Sequence, residues 1–283
     1  MITVKIEDDF DLARIAESGQ CFRVKEIQPG LFRFISLNHV LYIKKVDENF
    51  YECSCDNVEW ERFWKLYFDL ETNYAEIREH LGHFATEKTF EDFVVKAMEF
   101  SKGIRILHQD PFETLISFII SQRKSIPAIK KSVELICDNL GEILRTQYGD
   151  VRMFPTPEVL CKATILNLSS FAVGYRAPYI RDAVDKVTAR IVRLDDMNYA
   201  ADTEILQDLQ TIMGVGAKIS SCVALYGYHR MNVVPIDVWI QRTIEEDFHG
   251  RNVFAEIGNN AGILQQYIYF YKRMGDKEFW LVG

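Results

Sequence analysis

No stretch of the chain approaches the ~20 consecutive apolar residues that a bilayer-spanning helix requires. The opening segment, Met1-Ile2-Thr3-Val4-Lys5-Ile6-Glu7-Asp8-Asp9, turns acidic where a secretory leader would keep an apolar run. Export and membrane residence are therefore disfavoured, and a soluble cytoplasmic protein is the expectation. The six cysteines (Cys21, Cys53, Cys55, Cys137, Cys161 and Cys222) show no C-x-x-C spacing, as in a reducing cytosol. Cys53 and Cys55, at i and i+2, share one face of a strand and read as core. An excess of positive charge is also missing: 33 Lys and Arg stand against 41 Asp and Glu, a net charge of −8. That balance argues against binding nucleic acid through a broad basic field. It leaves room for local basic patches such as Arg123-Lys124 with Lys130-Lys131, or the run from Arg176 to Arg181. With only seven prolines, no Pro/Ser-rich linker, no repeat and no low-complexity tract, nothing marks a flexible divide.

What remains is a chain of 283 residues, 48% hydrophobic, long enough for a sizeable core in one or two domains. Period-2 patterns in Phe32–Leu37 and Val40–Val46, separated by Asn38-His39 and preceded by the turn Pro29-Gly30, predict antiparallel strands. From Val58 the period becomes helical, with Trp60, Phe63, Trp64 and Tyr67 at i, i+3, i+4 and i+7 after an Asp56-Asn57 cap. Helices are expected at Phe90–Phe100, Pro111–Gln122, Pro127–Leu140, Ala177–Ile191, Thr203–Met213, Ala217–Gly227, Val238–Phe248 and Gly262–Arg273. Asp110-Pro111-Phe112-Glu113 is a capping signature opening the most apolar of them. The fold class is α+β: an N-terminal antiparallel β-sheet domain with flanking helices over 1–90, then a helical region over 91–283.

The densest signal is Met213-Gly214-Val215-Gly216-Ala217-Lys218 between two helical patterns, with Pro235-Ile236-Asp237 following. Gly214 and Gly216 permit a tight turn with φ > 0 and close approach of a ligand to the backbone. Exposed N–H groups and the dipole at the next helix start attract an anion, so a phosphate is the natural ligand of the hairpin Gly214-Val215-Gly216. The same dipole disfavours an ammonium at Lys218, and the neutral amine is the nucleophile of Schiff-base chemistry. Lys218 also reads as a phosphate contact. Cys222, one turn on, shares its face and reads either as core or as part of a pocket. Asp237 is placed to cap the helix from Val238, a role compatible with stabilising positive charge on a substrate.

The order helix, G-V-G hairpin, Lys, helix, then V-P-I-D resembles the helix-hairpin-helix DNA glycosylases. Within them the chain is similar to the 8-oxoguanine DNA glycosylases with AP-lyase activity. Gly214–Cys222 and Val234–Val238 carry the resemblance, together with Ser18-Gly19-Gln20-Cys21-Phe22-Arg23, Gln109–Glu113 and Gly174-Tyr175-Arg176-Ala177.

The resemblance implies a helical part in two lobes, a double-stranded DNA partner carrying 8-oxoguanine, a flipped-out base, a monomer and a nucleoid-associated location. It implies catalysis by Lys218 and Asp237. Base recognition would fall to the Gly19 carbonyl, to Gln265 on the Watson–Crick edge, and to Cys222 and Tyr269 on the two base faces, with Phe270 adjacent to Tyr269. Tyr175 would wedge into the stack, and Arg176 would hold the orphaned cytosine. The family's cytosine-reading Asn falls on Arg123 and its second Arg on Ala128, which implies a relaxed opposite-base preference. Trp239 stands where the family's eukaryotic members commonly carry His. No redox or nucleotide cofactor and no metal are expected in the catalytic site. No iron–sulfur cluster is expected either, since no cysteine follows Cys222. A structural monovalent or divalent cation on the hairpin carbonyls is compatible, with Met213 in place of the usual proline. The rival readings are a glycosylase for alkylated bases, whose members generally lack the lysine, and a non-enzymatic helix-hairpin-helix DNA-binding module.

Overall fold

The computed structural model describes residues 1–87 and 90–279. Among the described residues there are seven strands: β1 (Ile2–Lys5), β2 (Val24–Gln28), β3 (Leu31–Ser36), β4 (His39–Asp47), β5 (Phe50–Cys53), β6 (Ile143–Thr146) and β7 (Gly149–Arg152). The first five form one sheet in the order β1-β5-β4-β3-β2. The expected turn at Pro29-Gly30 joins β2 to β3, with Gly30 at φ +75° and Val24 opposite Phe34. β1 pairs antiparallel with β5, Ile2 opposite Cys53 and Lys5 opposite Phe50. Cys53 and Cys55 are both buried, as their spacing implies.

The helices that matter for the site are α1 (Leu12–Glu17), α2 (Tyr74–Glu87), α3 (Glu91–Phe100), α4 (Pro111–Ser121), α5 (Ile126–Leu140), α6 (Ala177–Thr188), α7 (Asp202–Gln210), α8 (Ala217–Gly227), α9 (Val238–Arg242) and α10 (Ala261–Phe279). They bear out the sequence pattern to within a few residues at most ends. The expected Val238–Phe248 helix is the main difference, because its second half, Thr243–Asp247, widens into a π-turn. The β6–β7 hairpin interrupts a region whose periodicity reads as helical.

By contacts the chain forms two compact units, each assembled from separate segments. Unit 1 comprises residues 1–20, 44–108 and 229–283; unit 2 comprises 21–43 and 109–228. In unit 1, α3 and α10 pack through rings, Phe93 on Tyr271 at 6.0 Å and Phe100 on Phe270 at 5.7 Å. Arg105, fully buried, organises this unit: Nε donates to Phe68 O, Nη1 to Asp9 O and Asp8 Oδ2, and Nη2 to Asp69 O and Thr72 O. A buried guanidinium is tolerated because these donors meet acceptors instead of water.

Unit 2 is built around α4, whose face from Phe112 to Ile120 is almost wholly buried. Asp110 caps it as expected, Oδ2 accepting the Glu113 N–H at 2.7 Å, with Pro111 in the first turn. Gly227 of α8 lies against Pro111, where a Cβ would sit 3.1 Å from the Pro111 Cα. Phe118 and Tyr226 stack at 5.5 Å between α4 and α8.

Candidate active site

The hairpin between α7 and α8 is held by specific bonds within unit 2. Ile212 O accepts the Val215 N–H at 3.0 Å. Asp182 Oδ2 on α6 takes both the Met213 N–H at 2.7 Å and the Lys186 ammonium at 2.9 Å. Gln122 Nε2 donates to Gly214 O at 3.3 Å. Of the two glycines only Gly214 has positive φ, +79°; Gly216 is extended at φ −101° and starts α8 without any side-chain cap. The difference from expectation has a simple cause: one left-handed residue suffices for this turn, and Gly216 serves by leaving the helix start uncovered. At Gly214 a Cβ would sit 2.4 Å from the Tyr179 ring, so glycine is required there twice over. Ile212 O and Gly214 O already accept protein N–H groups, which leaves them less capacity for the cation considered above.

Lys218 follows in the first turn of α8, half-buried, its Nζ 5.2 Å from the centre of the Phe118 ring. That ring face is an attractive surface for an ammonium and an apolar support for the amine. Cys222 is 3% exposed and lies one turn on, while Ile219, Val223 and Tyr226 bury the neighbouring stripe in the core. The i, i+4 pair is thus set on one helix, between the uncapped N-terminus and the packed face.

Also in unit 2, the chain before α6 winds irregularly, with Ala172 at φ +57° and Gly174 at φ +60°. These turns leave Tyr175 52% exposed while Arg176 is buried. The Arg176 guanidinium lies 4.3 Å from the Tyr175 ring centre, donates to Val173 O at 3.0 Å and bonds Gln122 O. Arg176 is therefore largely committed to backbone carbonyls. Arg123 is exposed and left-handed, φ +49°. Its neighbour Lys124 bonds Ala172 O at 2.6 Å and Ser132 Oγ. Burial first, and the Arg176 charge second, hold the Lys124 ammonium below its ordinary range.

Unit 1 carries the other group. Gly19, φ +82°, stands between two fully buried residues. Ser18 Oγ donates to Ile15 O, and Gln20 donates to Arg105 O at 2.8 Å and accepts the Leu107 N–H at 2.8 Å. Gln266 Nε2 on α10 donates to Ser18 O at 2.9 Å, tying this turn to the helix that carries Gln265. Gln265 is 3% exposed, and its Oε1 has no hydrogen-bond partner among the described residues. A buried acceptor left unpaired costs ~1–3 kcal/mol unless a ligand supplies a donor. On the same helix Tyr269 is half-exposed, whereas Phe270 is buried against Phe100.

Asp237 caps α9 as its position implied: Oδ1 accepts the N–H groups of Trp239 and Ile240, each at 3.0 Å. Both bonds use one oxygen, so Oδ2 is left for another partner.

Comparison with known proteins fits this geometry. The family model described as "8-oxoguanine DNA glycosylase, N-terminal domain" matches residues 1–115. The Saccharomyces cerevisiae N-glycosylase/DNA lyase is 37% identical over 161 residues, which cover 52% of this chain and 42% of the yeast protein. The match thus spans under half of that curated relative. The structure of MBOgg1 with a low-affinity DNA ligand superposes with a TM-score of 0.89 at 32% identity, covering 97% of this chain and 96% of that one. The chain belongs to the 8-oxoguanine DNA glycosylase/lyase family. The Clostridium acetobutylicum 8-oxoguanine glycosylase/lyase, bound to double-stranded DNA with cytosine opposite 8-oxoG, aligns at TM-score 0.87 and 28% identity over 98% of this chain and 99% of its own.

Within this glycosylase fold the motif blocks divide between the units: Gly19, Asp237, Gln265 and Tyr269 belong to unit 1; Arg123, Tyr175, Arg176, the hairpin, Lys218 and Cys222 to unit 2. Sequence reasoning missed Asp182, Tyr179, Gln122 and Phe118, which shape the hairpin and support the lysine. Asp182 gave only an i, i+4 partner in Lys186, the pattern of any solvated helix face.

Proposed function

We propose that the protein removes 8-oxoguanine from duplex DNA and nicks the resulting abasic strand. The observation that carries this reading is a lysine in the first turn of an uncapped helix behind a left-handed glycine hairpin, in a chain of this family. The hairpin N–H groups take a phosphate and the exposed Tyr175 ring fills the stack beside the flipped nucleotide. The Lys218 amine attacks C1′ as the glycosidic bond breaks, and that bond's electrons leave with the base. The sugar ring opens to an imine on Nζ. Loss of a C2′ proton then expels the 3′ phosphate by β-elimination. The Asp237 carboxylate stabilises positive charge developing at C1′.

Base selection follows from the unit 1 group. 8-Oxoguanine carries a proton on N7 where guanine has a lone pair, so the Gly19 carbonyl accepts from the lesion and repels guanine. The unpaired Oε1 of Gln265 is an acceptor for the N1–H and N2–H donors of the Watson–Crick edge, and Tyr269 on the same helix offers the ring an aromatic face, while the Cys222 sulfur is the candidate contact from unit 2. This reading needs no redox or nucleotide cofactor.

Borohydride trapping on a duplex with one 8-oxoguanine tests it. Wild type forms a covalent protein–DNA band and Lys218→Gln forms none while keeping its far-UV circular dichroism. An active wild type that leaves no trapped band would remove the lysine from the mechanism.

A further inference from the structure

His108 and His229 stand where the chain leaves and re-enters unit 1: one is its last residue before segment 109–228, the other its first residue after it. Their rings stack at 3.5 Å between centroids with planes 18° apart. Asp69 completes the cluster. His108 Nε2 is 3.7 Å from Asp69 Oδ1, and His229 Nε2 is 3.3 Å from Oδ2. One ligand-capable atom from each of the three residues lies within 4.8 Å of the other two. We propose that Asp69, His108 and His229 form a binding site for one transition-metal dication of the zinc class, distinct from the DNA-processing residues.

Size and donor chemistry carry the inference. With metal–nitrogen and metal–oxygen bonds near ~2.0–2.1 Å, a tetrahedral ion has ligand-to-ligand edges of roughly 3.3–3.4 Å. The two ring nitrogens approach different oxygens of the carboxylate, His229 Nε2 at 3.3 Å from Oδ2 and His108 Nε2 at 3.7 Å from Oδ1, so each imidazole already lies near ligand-to-ligand spacing from the Asp69 head. Two imidazoles and a carboxylate are the donor set that suits zinc, cobalt and their neighbours, and they leave a fourth position open. At 3.7 Å the His108 nitrogen is too far from the carboxylate for a hydrogen bond, but an ion between them reaches both.

The carboxylate is already oriented from behind. Thr72 Oγ1 donates to Asp69 Oδ1 at 2.7 Å and Tyr74 OH to Oδ2 at 2.8 Å, the supporting bonds that metal ligands ordinarily have. Ligation places the His229 proton on Nδ1 and gives up the 3.3 Å approach of Nε2 to Ile106 O. With the ring centroids 3.5 Å apart and the planes only 18° from parallel, no ion lies in both planes as they stand, so ligation requires one imidazole to rotate out of the stack. A bound ion would clip together the two ends of segment 109–228, and a clip closing a long loop restricts the unfolded chain.

The test uses full-length, chelator-stripped protein titrated with Co2+ alone and with Zn2+ alone. One saturable equivalent of Co2+ with visible d–d bands and no thiolate charge-transfer band is expected, together with a Zn2+-dependent rise in Tm. Both responses should disappear in His229→Ala and in His108→Gln, each checked for native far-UV circular dichroism. They should persist in a His80→Ala/His83→Ala control on α2. Wild type that binds no cobalt, a response that survives both His108→Gln and His229→Ala, or a spectrum showing cysteine ligation would overturn the assignment.

Discussion

At the scale of single residues, the proposed site is made of groups that would do two jobs. Asp237 holds two N–H groups of α9 with one oxygen and keeps the other available. Asp237→Asn retains the acceptor and loses the charge, so Tm should change little while single-turnover excision falls by about 10²–10³. Asp237→Ala should lose excision equally and in addition cost about 1 kcal/mol in denaturant unfolding, the usual value of a cap. If the Asn variant excises at the wild-type rate, the carboxylate is structural only. Arg123 is the second case, a long side chain on a left-handed backbone that Asn accepts more readily. Arg123→Asn should stabilise the fold by up to about 1 kcal/mol and sharpen discrimination for cytosine opposite the lesion. The wild type should process all four opposite bases at nearly equal rates. A strong cytosine preference in the wild type would contradict this. The placement of Lys218 in the first turn of α8, the Asp237 cap and the left-handed Gly214 turn were legible in sequence because residue type and chain order announce them. The unpaired oxygen of Gln265 was not, since satisfaction of a polar atom depends on everything packed around it. Nor was the pairing of His108 with His229, which no local spacing foreshadows.

At the scale of elements, the helices were legible wherever an apolar stripe ran against a well-packed face. α4 shows this, with its Asp110-Pro111 start and its run of buried residues. β6 and β7 were illegible for the opposite reason: Ile143 and Leu144 are exposed and only Val151 is buried, so the hairpin shows no alternation to read. Val151 instead joins Ile35, Met153 and Val40 in a small apolar cluster. The division of the chain into discontinuous units likewise has no mark in composition, because no linker accompanies it. The hairpin between α7 and α8 is the element most exposed to substitution. Gly214→Ala meets both the positive φ and the Tyr179 ring, so the turn must open. DNA binding should weaken at least tenfold by fluorescence anisotropy, with a stability loss of about 1–3 kcal/mol. Gly216→Ala, at extended φ with open space around it, should be mild by comparison. Equal effects of the two changes would refute the assigned turn.

At the scale of the whole molecule, the proposed function brings an acidic protein to an acidic polymer, and on that reading backbone N–H groups with a few cations stand in for a basic field. Acidity also reaches the interior. Burial pushes the Glu113 carboxyl up to about 8 from its ordinary 4.5, against the opposing charge of Arg23. A carboxyl whose folded value is raised favours the folded state fully below the unfolded value, and that contribution drains away as pH rises toward the folded one. Tm should therefore carry a downward component between about pH 4.5 and 8 that Glu113→Gln removes; identical profiles for the two proteins would dismiss it. Finally, the interleaved segments have a consequence for biosynthesis. Unit 1 contains both the opening residues and those from His229 onward. A ribosome therefore releases every residue of unit 2 before the remainder of unit 1 exists, and that unit's first segments wait through most of translation for their counterparts. For the same reason, a single cut in the gene severs a unit wherever it falls, so neither half could have been acquired or exchanged as a simple terminal cassette.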